Sequence, residues 1–232
     1  MRQDSRPFRV LRVALAATLF TIPASSQSVE AVLARLDQAA AEFRDLSAQF
    51  QRTTYTAVLN ESSRESGTLR IRRAGPRNRL MRIEFNGSNP RSLGFDGTQG
   101  LVYYPKIQTV QIYDLGKHRS LVDQFLLLGF GTPGREMARS YSIKAAGEAT
   151  VAGSKTTRLE LVPKSAEVAR YVQLVELWVP EGGAYPVQQR FLQPGGDYTL
   201  VVYSAVRWNP NLSEAECRLN LPKGVKREYP QK

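Results

Sequence analysis

The sequence predicts a mainly β protein with some α-helix: a half-open, curled antiparallel β-sheet (an incomplete barrel) with helices covering its concave apolar face. Three observations lead to this prediction. Between positions 67 and 115, short runs alternate apolar and polar residues, which gives a sheet one wet face and one apolar face. After position 141 the same pattern returns, with glycine-rich turns between the runs. Amphipathic or apolar helical segments precede and separate the two sets of strands.

The first 26 residues have the features of a secretory signal peptide. Four arginines precede a short apolar segment at 13–22, and Ala24 and Ser26 suit the −3 and −1 positions of a cleavage after Ser26. The apolar segment is too short to span a membrane, and an uncleaved anchor is the alternative. Residues 27–232 are then expected to be a single exported and soluble domain. Cleavage removes four arginines and one aspartate from a formal charge of +11, which leaves +8.

Positions 28 to about 50 are predicted to form the first helix. Ser28 can cap it, and Glu30 suits the positive end of the helix dipole. Positions 51–59 are rich in threonine and read as a strand. The apolar residues that recur at spacings of three and four are Val29, Val32, Leu33, Leu36, Ala40, Phe43 and Phe50.

Five short strands are predicted between Gly67 and Leu115. In the first, Leu69, Ile71 and Arg73 share one face. Asp96-Gly97 is a strong hairpin-turn signal between two of the strands. In the second strand the apolar side is Met81, Ile83 and Phe85, and in the fifth it is Val110 and Ile112.

A second helix is predicted at 120–128, because Ser120 and Asp123 resemble a capping box and Gly129 and Gly131 follow its end. This helix is apolar nearly all round. It is therefore either buried in the core or a lid over an apolar ligand that binds reversibly. Five more strands are predicted after it, at 141–144, 156–163, 172–179, 187–192 and 198–206.

The residue set does not favour catalysis. There is one histidine, His118, and no Gly-x-Ser-x-Gly elbow accompanies it. A lone histidine is also weak evidence for zinc, so no catalytic residue, metal ligand or cofactor is predicted. The positive charges alternate along strands, as at Arg70 and Arg72, without a nucleic-acid-binding motif, so no nucleic-acid partner is expected.

The order of elements resembles the periplasmic outer-membrane lipoprotein carrier (LolA-like) family, and the similarity extends over essentially the whole mature chain. No single motif is specific, but their order together is. A signal peptide and a helix carrying Leu33-x-x-Leu36 come first. The segments that carry the rest of the resemblance are Gly67-x-Leu69 with Arg72-Arg73, Phe95-Asp-Gly-Thr98, Val102-Tyr-Tyr-Pro105, the apolar helix to Phe130, Leu159-Glu-Leu-Val-Pro-Lys164 and Leu221-Pro-Lys-Gly-Val225.

The resemblance implies a periplasmic chaperone with no enzymatic activity. It would take lipoprotein acyl chains from an inner-membrane lipoprotein-releasing transporter into an apolar cavity. As a monomer it would then carry them to the outer membrane, where a receptor is a possible partner. In the family, an arginine at the end of the strand after Gly-x-Leu helps to hold a lid over the cavity, and Arg73 matches that position. Ala74 follows it, where the family often has proline. The alternative is a secreted sensing or binding module of the same fold that recognises another lipid or a peptide.

The candidate lipid-binding residues are chosen by strand alternation and by the helical stripe. For each of them ordinary core packing is the competing interpretation, and for Arg73 it is a strand-end arginine reaching to water. The predicted cavity residues are Leu33, Leu36, Phe43, Leu69, Ile71, Met81, Ile83, Phe85, Leu93, Phe95, Val110, Ile112, Phe125, Leu126, Val175, Leu177, Leu200 and Val202, with Arg73 as the lid contact.

Overall fold

The computed structural model describes residues 28–75, 78–116 and 128–231. In these residues twelve strands form one sheet, and the sheet is not closed on itself. Four α-helices accompany it within the same ranges. The predicted mainly β architecture with an open, mostly antiparallel sheet is therefore confirmed. None of the helices in these ranges is long and apolar enough to cross a membrane.

The helices are α1 (Val29–Glu42), α2 (Gly134–Ser140), α3 (Ala166–Ala169) and α4 (Glu214–Cys217). The strands are β1 (Asp45–Thr56), β2 (Glu61–Arg73), β3 (Arg79–Phe85), β4 (Arg91–Phe95), β5 (Gln99–Tyr104), β6 (Thr109–Asp114), β7 (Tyr141–Val151), β8 (Ser154–Pro163), β9 (Leu174–Pro180), β10 (Gln188–Leu192), β11 (Tyr198–Trp208) and β12 (Lys226–Glu228).

Consecutive strands pair as antiparallel neighbours on either side of a central join between β1 and β11. The order across the sheet is β12-β6-β5-β4-β3-β2-β1-β11-β10-β9-β8-β7. β12 alone pairs in parallel, with β6. The predicted turn at Asp96-Gly97 joins β4 to β5, and Gly97 has a φ of 93°, which a glycine adopts without strain.

Helix α1 begins as predicted and ends earlier than predicted. The Ser28 side chain accepts a hydrogen bond from the backbone N–H of Ala31 at 3.2 Å, and Glu30 lies in the first turn. The helix ends at Glu42, and Phe50 lies in β1. The predicted extension to about Phe50 was wrong because Leu46, Ala48 and Phe50 alternate as a strand. That strand pairs on both sides, with β2 and β11.

The sheet has two faces that the structure distinguishes clearly. We call the face covered by α1 the inner face and the opposite one the outer face. Val32 and Leu36 of α1 pack with residues of β8 and β9 in one buried apolar cluster. A second cluster joins β1, β2, β3, β4 and β11, and Phe43 and Phe130 pack into it. Residues directly opposite each other on paired strands share a face, so the register assigns every strand residue to one side.

The C-terminal segment crosses the outer face. Leu212 and Cys217 form a small buried cluster with Leu80 of β3. Asp45, which is 1% exposed, accepts a hydrogen bond from the backbone N–H of Leu212 at 3.0 Å. Arg72 donates to the Leu212 carbonyl. These contacts fix the segment that precedes β12. The sequence pattern did not predict β12.

Candidate functional site

A row of apolar side chains runs across four strands of the inner face. Leu69, Ile83, Leu93 and Val102 are successive partners across β2, β3, β4 and β5. Leu69 is buried, whereas the other three are only partly buried. We call this set the inner row. Next to it, Ile71, Met81 and Phe95 form a second, buried row.

Twelve of the predicted cavity residues lie on the inner side of the sheet. Leu33 and Leu36 are on α1, Phe43 follows it, and the other nine are on strands. One apolar cluster contains Phe43, Leu69, Ile71, Met81, Phe85 and Phe95, with Ile83 and Leu93 packed against it. The other contains Leu36, Val175 and Leu177, with Leu33 packed against it. Phe125 and Leu126, together with the predicted helix at 120–128 apart from Leu128, lie outside the described residues.

Four predicted cavity residues lie on the outer face instead. Val110 and Ile112 pair with Tyr103 and Leu101, and these two share a face with Ser92 and Gly94 rather than with Leu93. Leu200 and Val202 pair with Thr53 and Gln51, which lie on the opposite face of β1 from Phe50. The expectation differed because alternation separates two faces within a strand but does not say which one is inner.

Several inner-face residues were not predicted. Among them, Phe130, Tyr203 and Trp208 form an aromatic group around the β1–β11 join, next to the predicted residue Phe43. Phe43 and Trp208 have ring centroids 5.0 Å apart, and Phe130 meets Tyr203 edge-on at 4.9 Å. The alternation of Leu46, Ala48 and Phe50 could have identified the β1 side of this join. It was missed because that segment was predicted to be helical.

Arg73 lies at one end of the inner face and binds α1. Its Nη2 donates to the carbonyl of Ala40 at 2.6 Å, and its guanidinium lies 5.9 Å from the centroid of the Phe43 ring. A carbonyl in the last turn of a helix lacks an intrahelical donor, so a charged donor satisfies it. Arg73 therefore fastens the end of α1 to the sheet. The predicted contact with the helix at 120–128 lies outside the described residues.

A buried polar bridge fastens a second segment to the inner face. Gln189 of β10 is 3% exposed and donates from Nε2 to the Leu128 carbonyl at 2.5 Å. Its Oε1 accepts from the Tyr203 hydroxyl at 2.8 Å. Burial raises the pKa of Tyr203, so this hydroxyl stays a donor across the physiological range. The bridge holds residues 128–131, including Phe130, against the sheet.

An arginine-rich cluster closes the other end of the inner face. Arg91 makes two contacts with Glu65, from Nη1 to Oε1 at 2.6 Å and from Nη2 to Oε2 at 2.9 Å. Arg52 also binds Glu65. Both guanidinium groups lie over the Phe85 ring, at 4.7 Å for Arg52 and 4.0 Å for Arg91. The hydrogen bond from Arg91 lowers the pKa of Glu65 below its ordinary value of 4.5. We call these four residues the arginine cluster.

A shallow pocket of about 210 Å³ lies on the outer face, where the pairing of β1 and β11 shifts register. Its lining includes Gln49, Thr68, Arg70 and Arg207. These side chains are polar and face away from the inner row. The pocket therefore does not belong to the apolar site.

The described residues offer little reactive chemistry. They contain no group of three or more His, Cys, Asp or Glu that could hold a metal ion. Cys217 is buried in the outer-face cluster, and burial raises the pKa of its thiol to about 11, so it is a poor nucleophile. His118 lies outside the described residues. What the inner face offers instead is apolar surface bordered by cations.

No protein-family model matches the sequence, and no curated protein matches it. Solved structures do match. An uncharacterised conserved protein from Thermus thermophilus is 15% identical, over 88% of this chain and 99% of that one, with a TM-score of 0.55. MucB is 14% identical, over 83% of this chain and 62% of the MucB chain, with a TM-score of 0.53.

A LolA superfamily protein from Nitrosomonas europaea is 12% identical, over 83% of this chain and 98% of that one, with a TM-score of 0.40. Structural neighbours of the chain include LolA superfamily proteins, the family that the order of elements in the sequence resembles, and also MucB. Identities this low show a shared fold and leave the ligand to be argued from the residues of this chain.

Proposed function

We propose that the protein is a periplasmic carrier that binds lipoprotein acyl chains on its inner face and moves them from the inner to the outer membrane. A lipoprotein-releasing transporter of the inner membrane would supply the cargo, and a receptor in the outer membrane could accept it. The carrier acts as a monomer without cofactor or catalysis. The signal peptide predicted at 1–26 supports export, and 27–232 would be the working domain.

One observation carries the proposal. The inner row continues an apolar surface from the buried core out to Ile83, Leu93 and Val102, which stay only partly buried. A sheet whose inner face served only as core would bury such a row completely, as β8 and β9 do with Leu159, Leu161, Val175 and Leu177. A partly open apolar surface inside a curled sheet suits a ligand that is itself a flexible hydrocarbon.

The energy of an acyl chain in water shows why a carrier is needed. Transfer of one methylene group out of water is worth about 0.8 kcal/mol, so a sixteen-carbon chain carries on the order of 12 kcal/mol. Such a molecule does not cross an aqueous compartment unaided at a useful rate. The protein must offer comparable apolar surface and yet release the chain at its destination.

The way the covering segments are fastened supports reversible opening. The end of α1 is held by the bond from Arg73 to Ala40, and residues 128–131 are held by the bond from Gln189 to Leu128. Single polar contacts of this kind are each worth about 0.5–3 kcal/mol, far less than an acyl chain. Cargo binding can therefore displace covering segments without unfolding the sheet.

Neighbouring positions on β4 give a matched test. Leu93 belongs to the inner row, and Ser92 lies on the outer face of the same strand. We expect Leu93→Asn to weaken binding of a fluorescent triacylated lipopeptide about tenfold, since a polar amide replaces apolar contact surface. Ser92→Asn should bind like the unmodified protein.

The comparison is valid for variants whose tryptophan fluorescence shows the native fold. Equal affinity in both variants would contradict binding on the inner face. Folded protein that binds no acylated peptide at all would favour the sensing or binding module of the same fold.

A further inference from the structure

The arginine cluster directly borders the inner row. Arg91 lies two residues before Leu93 on the same face of β4, and Phe85 lies two residues after Ile83 on the same face of β3. Two residues of a strand span about 7 Å. The two guanidinium groups therefore lie beside the inner row, within reach of an acyl chain that contacts Ile83 and Leu93.

The charges of this cluster do not balance. Arg52 and Arg91 share one carboxylate, that of Glu65, so one positive charge is left in excess. The side chains are screened from water, with 31% of Arg52, 15% of Arg91 and 24% of Glu65 exposed. In addition, Nε of Arg52 is buried and has no hydrogen-bond partner. An uncompensated cation at such a site is stabilised when an anion joins it.

The geometry of the donors suits a carboxylate or a phosphate. Guanidinium groups present planar pairs of N–H donors that match the oxygens of both anions. The Phe85 ring beneath them is continuous with the apolar surface, because it meets Phe50 edge-on at 5.3 Å. The site is therefore amphipathic: apolar along the inner row and cationic along one side of it.

We propose that the arginine cluster is a head-group site of the inner face, where it binds the carboxylate or phosphate of acyl ligands that carry such an anion directly beyond their chains. This inference rests on the proposed function, because it requires the chain itself to lie on the inner row. Lipoprotein acyl chains are ester- and amide-linked and carry no such anion, so the site adds a second class of ligand to the inner face: acyl compounds with an anionic head group, such as fatty acids or phosphate-headed lipids. Arg52 and Arg91 bind the anion, and Glu65 keeps the two side chains in place.

The test compares two probes that differ in one charge. A fluorescent sixteen-carbon fatty acid and its methyl ester are titrated at pH 8 into the exported protein, below the concentration at which the probes self-associate. We expect the acid to bind about ten- to hundredfold more tightly than the ester, as one charge-assisted contact allows. Arg91→Gln should remove this preference while leaving the affinity for the ester unchanged. Arg52→Gln provides an independent variant with the same expected effect.

The outer face supplies a matched control. Arg82 and Arg70 share the carboxylate of Glu84 there, with Arg82 Nη2 at 2.6 Å and Arg70 Nη1 at 2.8 Å. Arg82→Gln removes the same charge from an equivalent trio on the opposite face and should keep the preference for the acid. Competition by hexadecyl phosphate, with inorganic phosphate ineffective, would show that the head group is recognised together with its chain.

Three results would overturn the inference. Equal binding of acid and ester by the unmodified protein would show that the cluster does not recognise charge. An effect of Arg82→Gln as large as that of Arg91→Gln would show that net charge alone is responsible. The third is that neither probe binds the folded protein while the triacylated lipopeptide does; if the lipopeptide also fails to bind, the proposed function fails as well.

Discussion

Replacing Gln189 by leucine tests how the inner face is covered. The substitution removes both hydrogen bonds of the bridge, so the Leu128 carbonyl and the Tyr203 hydroxyl lose their partner. A buried polar group left without a partner costs about 1–3 kcal/mol. We therefore expect Gln189→Leu to lower the free energy of unfolding by about 2–5 kcal/mol.

Tyr203→Phe is the matched control for this prediction. It keeps the bond from Gln189 to Leu128 but leaves the buried Oε1 of Gln189 without a donor, so we expect a loss of about 1–3 kcal/mol, smaller than that of Gln189→Leu. The double variant should lose less than the sum of the single variants, because the Tyr203 hydroxyl that Gln189→Leu strands is then absent.

Urea unfolding followed by the fluorescence of Trp178 and Trp208 measures all three variants. A Gln189→Leu variant within about 0.5 kcal/mol of the unmodified protein would refute the reasoning. Strict additivity of the two substitutions would refute the coupling of the two hydrogen bonds. The first result would mean that residues 128–131 are not held by this bridge.

Three further predictions concern a close contact, an ionisation and an anchor. A Cβ at Gly67 would lie 2.0 Å from the Glu84 carbonyl oxygen, so Gly67→Ala should lower the free energy of unfolding in urea by about 1–3 kcal/mol. Gly75→Ala is the control, because its Cβ would make an ordinary contact at 3.8 Å, and it should leave the free energy of unfolding unchanged. The pKa of Glu65 is lower in the folded protein, so its ionised form stabilises the fold above pH 4.5, and this stabilisation is lost as the pH falls through the folded-state pKa. Glu65→Gln should therefore lose less stability in acid than the unmodified protein. Parallel profiles of stability against pH would contradict this. Arg73→Leu should retain bound lipopeptide but pass it to acceptor vesicles more slowly, since closure of α1 no longer favours release; unchanged transfer kinetics would remove Arg73 from the mechanism.

Local sequence signals predicted the strands and most of the inner face. Alternation identified Leu69, Ile71, Met81 and Ile83 because side chains on a strand repeat every two residues. The turn at Asp96-Gly97 was predictable for the same kind of reason, since its residue types fix the backbone.

Long-range information was needed for the rest. Phe50 fits both a helical stripe and a strand, and pairing of β1 with two neighbours decides between them. Val110 and Leu200 alternate correctly within their strands but face outward, because the face depends on register with the next strand. The Gln189 bridge joins residues far apart in the sequence, and no local pattern marks such a pair.

The central claim is that acyl chains lie on the inner face, and photo-crosslinking in living cells tests it most directly. A photoreactive amino acid is placed at Ile83, on the inner row, or at Arg82, its outer-face neighbour on the same strand. The account predicts lipoprotein adducts from position 83 and none from position 82. Adducts from both positions, or from neither while the protein is folded and exported, would contradict it.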